Sequence, residues 1–163
     1  MPQQDIAIEI CPESFAQSRR GNVTGGIYWK VGDQCFPEYG WNDFALVLIN
    51  AWIESVMRLI NQESTSEILH FMDGPFFMRF VSQKKIITCQ FIESRQNDRE
   101  IIEIQWAGSA DQLFQALFNV AQTISQACQD FNHIEPDLQL LKSNQLSLQK
   151  FIAKQGRRGP KKQ

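Results

Sequence analysis

The side chains best placed for polar chemistry lie in two short stretches of the 163-residue sequence: Trp41 and Asp43 in one, His70, Asp73 and Arg79 in the other. A histidine, a carboxylate and a guanidinium this close together could serve the polar chemistry of a small enzyme or a ligand-binding domain with a pocket between a sheet and helices. Each also has a plain structural role. Asp73 can form a turn, Arg79 can charge a strand edge and His70 can be a hydrogen-bonded core group. Trp41 can be a core aromatic, and Asp43 can complement a helix dipole near an N-terminus. No pair among them is spaced to shift a pKa, so the structural roles carry the greater weight and no catalytic residue is assigned.

Other chemistries find less support. Gly21 and Gly26 have the first spacing of a phosphate loop, but Ile27 and Tyr28 stand where Lys and Ser/Thr would hold phosphate and magnesium. These glycines read better as a turn and a close backbone approach in a strand. The two histidines, His70 and His133, have no acidic or thiol neighbour at ligand spacing, so no metal and no cofactor is expected. There is no G-x-S-x-G stretch, and no cysteine has a histidine near it in sequence. Cys11, Cys35, Cys89 and Cys128 are dispersed, which suits neither a disulfide framework nor a C-x-x-C pair. Reduced thiols and the absence of an export signal at the N-terminus point to the cytoplasm.

The elements that would position these groups follow from periodicity. Ile6, Ile8 and Ile10 alternate as in a half-buried strand, and residues 23–36 read as a hairpin closed at Gly32-Asp33. Helix spacing from Phe44 to Leu59, with Asn42 as N-cap, predicts a first helix over 42–61. Its apolar stretch is interrupted by Asn50, Glu54 and Arg58 and is too short to cross a bilayer, which leaves it a buried helix. Strands are expected at 67–72, 76–81, 86–93 and 100–106, paired as two consecutive antiparallel hairpins. Ser109 and Gln112 form a capping box for a second helix, and Pro136-Asp137 open a third that ends near Gln155. The expected fold is α+β: an antiparallel sheet of about six strands with three helices mainly on one face, in a single domain over residues 1–155.

The hairpin over 67–81 is apolar at both odd and even positions, so both of its faces need covering in either register. One face can meet helices. The other is expected to meet helix one, a loop or a second protein chain, with Leu69, Phe71, Phe77 and Arg79 as contact candidates. The second helix carries Gln112, Gln115, Asn119, Gln122, Gln126 and Gln129 as an uncharged stripe, either a recognition face or a solvated one.

The 16 basic and 18 acidic residues are unevenly placed. Six of the basic ones and none of the acidic ones fall in residues 150–163, which leaves residues 1–149 at a formal −8. Residues 156–163, with Arg157, Arg158, Lys161 and Lys162, are expected to form a disordered basic tail. It could track phosphates but offers no aromatic to stack on bases. An acidic body argues against nucleic acid and suits a basic protein partner.

Residues 27–33 with Phe36-Pro37, then 41–44 with Trp52, then 71–75 resemble a pattern in small uncharacterised bacterial proteins. Some of these are similar to immunity proteins that accompany polymorphic toxins. The resemblance covers residues 26–81 and implies no catalytic residue. It implies a toxin-neutralising role. The two-sided apolar hairpin and the missing chemistry point to a non-enzymatic protein-binding module that meets a partner or self-associates, and the short, interrupted apolar stretch leaves no membrane partner.

Overall fold

A computed structural model describes residues 4–157. Eight strands form, β1 (Ile6–Gln17), β2 (Val23–Val31), β3 (Gln34–Phe36), β4 (Asn42–Asp43), β5 (Ser66–His70), β6 (Phe76–Gln83), β7 (Ile86–Arg95) and β8 (Arg99–Gly108). Three helices accompany them: α1 (Ala45–Ile60) between β4 and β5, then α2 (Ala110–Ala127) and α3 (Glu135–Arg157) after β8. The fold is α+β. In place of one sheet of about six strands, the chain builds two antiparallel sheets of four, one ordered β1-β2-β3 with β4 also on β2, the other β5-β6-β7-β8.

The turns explain the register. Gly32 at φ 58° and Asp33 close the β2-β3 hairpin with Val31 opposite Gln34, the two-residue loop that the Gly-Asp pair favours. The division into two sheets follows from α1, which interrupts the strand order and packs between β2 of the first sheet and β5 of the second. Trp29 of β2 lies between Trp52 of α1 and Phe80 and Phe91 of the second sheet, and Phe36 of β3 reaches Phe71, Phe76 and Phe91. One apolar core therefore joins both sheets and the helix layer. Each large side chain buried there contributes roughly 1.5–3 kcal/mol.

Asn42 does not cap α1; it pairs with Gly26 as part of β4, and Phe44 takes the N-cap position without a side-chain bond. Asp43 accepts from the Phe44 backbone N–H instead, at 2.7 Å. The capping box of α2 forms as the sequence suggests, with Ser109 and Gln112 bonded reciprocally. α2 lays its apolar face on β1, and α3 packs chiefly on α1 and α2. There Asn50 of α1 donates to the Asp137 carbonyl and accepts from Asn144, so a buried polar side chain of α1 is used to hold α3. α3 runs to Arg157, two residues beyond the expected end; Arg158, Lys161 and Lys162, with the disorder expected of them, lie outside the described residues.

Gly25 and Gly26 are required by close approach. The β1 strand is irregular between Cys11 and Ala16, and this segment folds over β2. A Cβ on Gly25 would stand 2.8 Å from the Phe15 ring, and one on Gly26 would stand 2.9 Å from Cys11 Cβ. Ser14 Oγ accepts from the Gly26 N–H at 2.8 Å, fixing that approach. The strand reading of these glycines stands over the phosphate-loop one.

Candidate interaction surface

The second sheet has two unlike faces, and register decides which side chain belongs to which. Leu69, Met78, Phe80, Cys89, Phe91, Ile104 and Trp106 turn into the core. The opposite face carries a row of directly paired residues across all four strands: His70 opposite Phe77, Phe77 opposite Ile92 and Ile92 opposite Ile102. The next row is Ile68, Arg79, Gln90 and Gln105, and the one after it Ser66, Val81, Thr88 and Ala107. Ile68 stays 45% exposed, Met72 58% and Ile102 43%. Ile92 is fully covered, and so is the anchor of the apolar row.

This register corrects two of the expected contact residues. Leu69 is 1% exposed and Phe71 4%, so neither can meet a partner. Phe71 packs edge-on against Trp52, Trp41 and Phe36. Phe77 does lie on the outer face, half-buried beneath the His70 ring and the Arg79 guanidinium. Arg79 spans the sheet, bonding Gln90 and both carboxylate oxygens of Glu100. An open concavity of about 410 Å³ lies beside it, floored by Val81, Thr88, Gln90, Gln105 and Ala107.

The five polar candidates do not converge. Asp43 is buried at 2% exposure, and its carboxylate accepts four N–H donors: Phe44 N, Trp41 Nε1, Met72 N and Asp73 N. It ties the start of α1 to the β5-β6 turn, a role that sequence spacing did not reveal because Met72 and Asp73 are distant along the chain. Trp41 donates to it and packs on Phe71 and Phe76. Asp73 is exposed in the turn before Gly74, which has φ 70°. His70 is exposed, and its carbonyl accepts from Trp52 Nε1. The concavity that holds Arg79 holds neither His70 nor Asp73, and apolar side chains fill the core that joins the two sheets to the helices.

Burial pushes the Cys89 thiol well above its ordinary pKa and the Cys128 thiol up to about 11, which makes both poor nucleophiles. All four cysteines are free. Among the described residues, no three His, Cys, Asp or Glu side chains are grouped to hold a metal ion. No described helix is long and apolar enough to cross a membrane.

Fold and surface together define the class: an α+β domain with one sheet face left uncovered by its own helices. Comparison with known protein families, with curated proteins and with solved structures returns no significant match to the chain.

Proposed function

We propose that the protein is a non-enzymatic binding module that recognises another protein through the outer face of the second sheet. The observation that carries this reading is the apolar patch made by half-buried Phe77 and by Ile68, Met72 and Ile102, which stay exposed. These side chains form an apolar patch that a partner can cover, above a floor that the buried Ile92 supplies, and Arg79 gives it a polar edge of the type enriched at interfaces. The acidic body favours a basic partner, which fits a toxin-neutralising role in the cytoplasm, where four free thiols remain reduced.

The test places a photo-crosslinker at the exposed position 105, in the neighbouring row of the same face, and compares the otherwise unchanged chain with Ile68→Glu/Ile102→Glu and Phe77→Glu, read by light scattering and adduct mass in the expressing cell. A single discrete protein adduct, lost in both charged variants while their thermal unfolding stays cooperative, is the expected outcome. Phe71→Glu, by contrast, unfolds the domain. A crosslinker that yields no protein adduct, with a mass unchanged by either variant, overturns the reading.

A further inference from the structure

The first sheet ends in a long edge strand, and its geometry points to a second binding site. We infer that the free edge of β1 takes up an extended basic peptide as an added strand, in the groove between β1 and α2.

A groove of about 540 Å³ is lined on one side by Asp5, Ile6, Ala7, Ile8, Glu9 and Ile10 in unbroken succession. A sheet face presents alternate residues, whereas only an edge presents consecutive ones. The hydrogen-bond parity agrees. Gly32 N donates to the Asp5 carbonyl at 3.0 Å, which makes odd positions of β1 the ones that bond to β2. The N–H and C=O groups of Ile6, Ile8 and Ile10 therefore turn to the opposite side. Gln4 has the same parity, and its carbonyl accepts from Trp106 Nε1 of the second sheet, as a group facing away from β2 must. Among the described residues no strand pairs with that side of β1.

The opposite wall is the polar stripe of α2. Gln115, Asn119 and Thr123 line the groove, with Gln115 donating to Asn119. Amides and a hydroxyl there can bond the side chains of an added strand without the desolvation cost of a charge. Among the described residues the charged ones lining the groove are Asp5 and Glu9, so the complementary occupant carries Lys or Arg on the face beside them. A second copy of this chain fits poorly: joining two β1 edges would bring four carboxylates together with no lining base between them. Six edge residues correspond to about 20 Å of extended peptide, the usual scale of strand addition.

The probe is the capped hexapeptide Lys-Thr-Lys-Val-Lys-Thr with the full chain, followed by amide chemical shifts and hydrogen exchange. Saturable binding is expected, with slowed exchange at the Ile8 and Ile10 amides. N-methylating alternate amides of the peptide, which leaves its charge intact, should weaken binding at least tenfold, as should Glu9→Lys and Asn119→Lys. Ile68→Glu/Ile102→Glu should bind the probe unchanged, so this site and the second-sheet surface fail or stand separately. Equal binding of the N-methylated peptide overturns the inference, as does the absence of saturable binding at about 1 mM probe. So does a dimer in which the Ile8 and Ile10 amides are already protected.

Discussion

Asp43→Ala should be the most damaging single polar substitution in the described fold. The wild-type carboxylate accepts Phe44 N at 2.7 Å on Oδ1, and Asp73 N at 3.0 Å, Met72 N at 3.1 Å and Trp41 Nε1 at 3.2 Å on Oδ2. Alanine orphans all four. Met72 and Asp73 are exposed, so water recovers part of the loss; at about 1 kcal/mol per donor the total is about 4 kcal/mol. That is a large share of the roughly 5–15 kcal/mol that holds a domain folded. Asp43→Asn keeps the shape, and its one oxygen, with two lone pairs, can serve two of the three donors on the Oδ2 side. Its NH2 then faces Phe44 N, and the loss is about 2 kcal/mol. In urea, with a slope of about 2 kcal/mol per M, the midpoints should fall by about 2 M for alanine and about 1 M for asparagine. Exchange at the Met72 and Asp73 amides should accelerate in both variants. An alanine variant within about 1 kcal/mol of wild type, or an asparagine variant weaker than it, would refute the clamp.

Three further perturbations test separate parts of the structure. Gly26→Ala should cost about 1–3 kcal/mol in urea unfolding, because its Cβ would overlap Cys11, while Gly40→Ala meets no neighbour and is strained only by its φ of 73°. Two carboxylates should bend the pH dependence of stability in opposite directions. Glu67, held low by its hydrogen bond to Arg58, contributes above the ordinary Glu range, and that contribution, below about 1 kcal/mol, is lost as pH falls through its lowered native value. Glu103, raised by burial and then by the hydrogen bond and charge of Glu93, does the reverse: stability rises as pH falls through its native value, and Glu103→Gln should remove that rise. Spectrophotometric titration should reveal a phenol ionising near 12, Tyr28, pushed there by burial and then by neighbouring Tyr39, and Tyr28→Phe should abolish it.

Local signals in the sequence located what local physics controls. The Gly32-Asp33 turn, the capping box at Ser109 and the alternation of Ile6, Ile8 and Ile10 each have their cause within a few residues, and each forms as read. What escaped depends on partners far along the chain. The hairpin over 67–81 is apolar at both parities, and only pairing Leu69 with Met78 shows that Phe71 turns inward and Phe77 outward. The two-sheet arrangement was hidden for a similar reason, since nothing near residues 45–60 says that the helix will separate strands into different sheets. From its place before α1, Asp43 reads as a helix-dipole partner. Its larger task, receiving the backbone of Met72 and Asp73, has no signature short of the folded chain.

The way α3 is held has a kinetic consequence. It lies chiefly on α1 and α2, tied by the Asn50 and Asn144 amides and by Phe151 against Phe114. Those ties can be released while both ladders of strands stay intact. α3 is therefore the natural unit of partial opening, a lobe that can peel off and reclose far more often than the whole domain unfolds. Its amides should exchange together, at a rate set by the Asn50 contact and by the buried Leu141 and Leu148 that must leave the core with it, and indifferent to the clamp at Asp43.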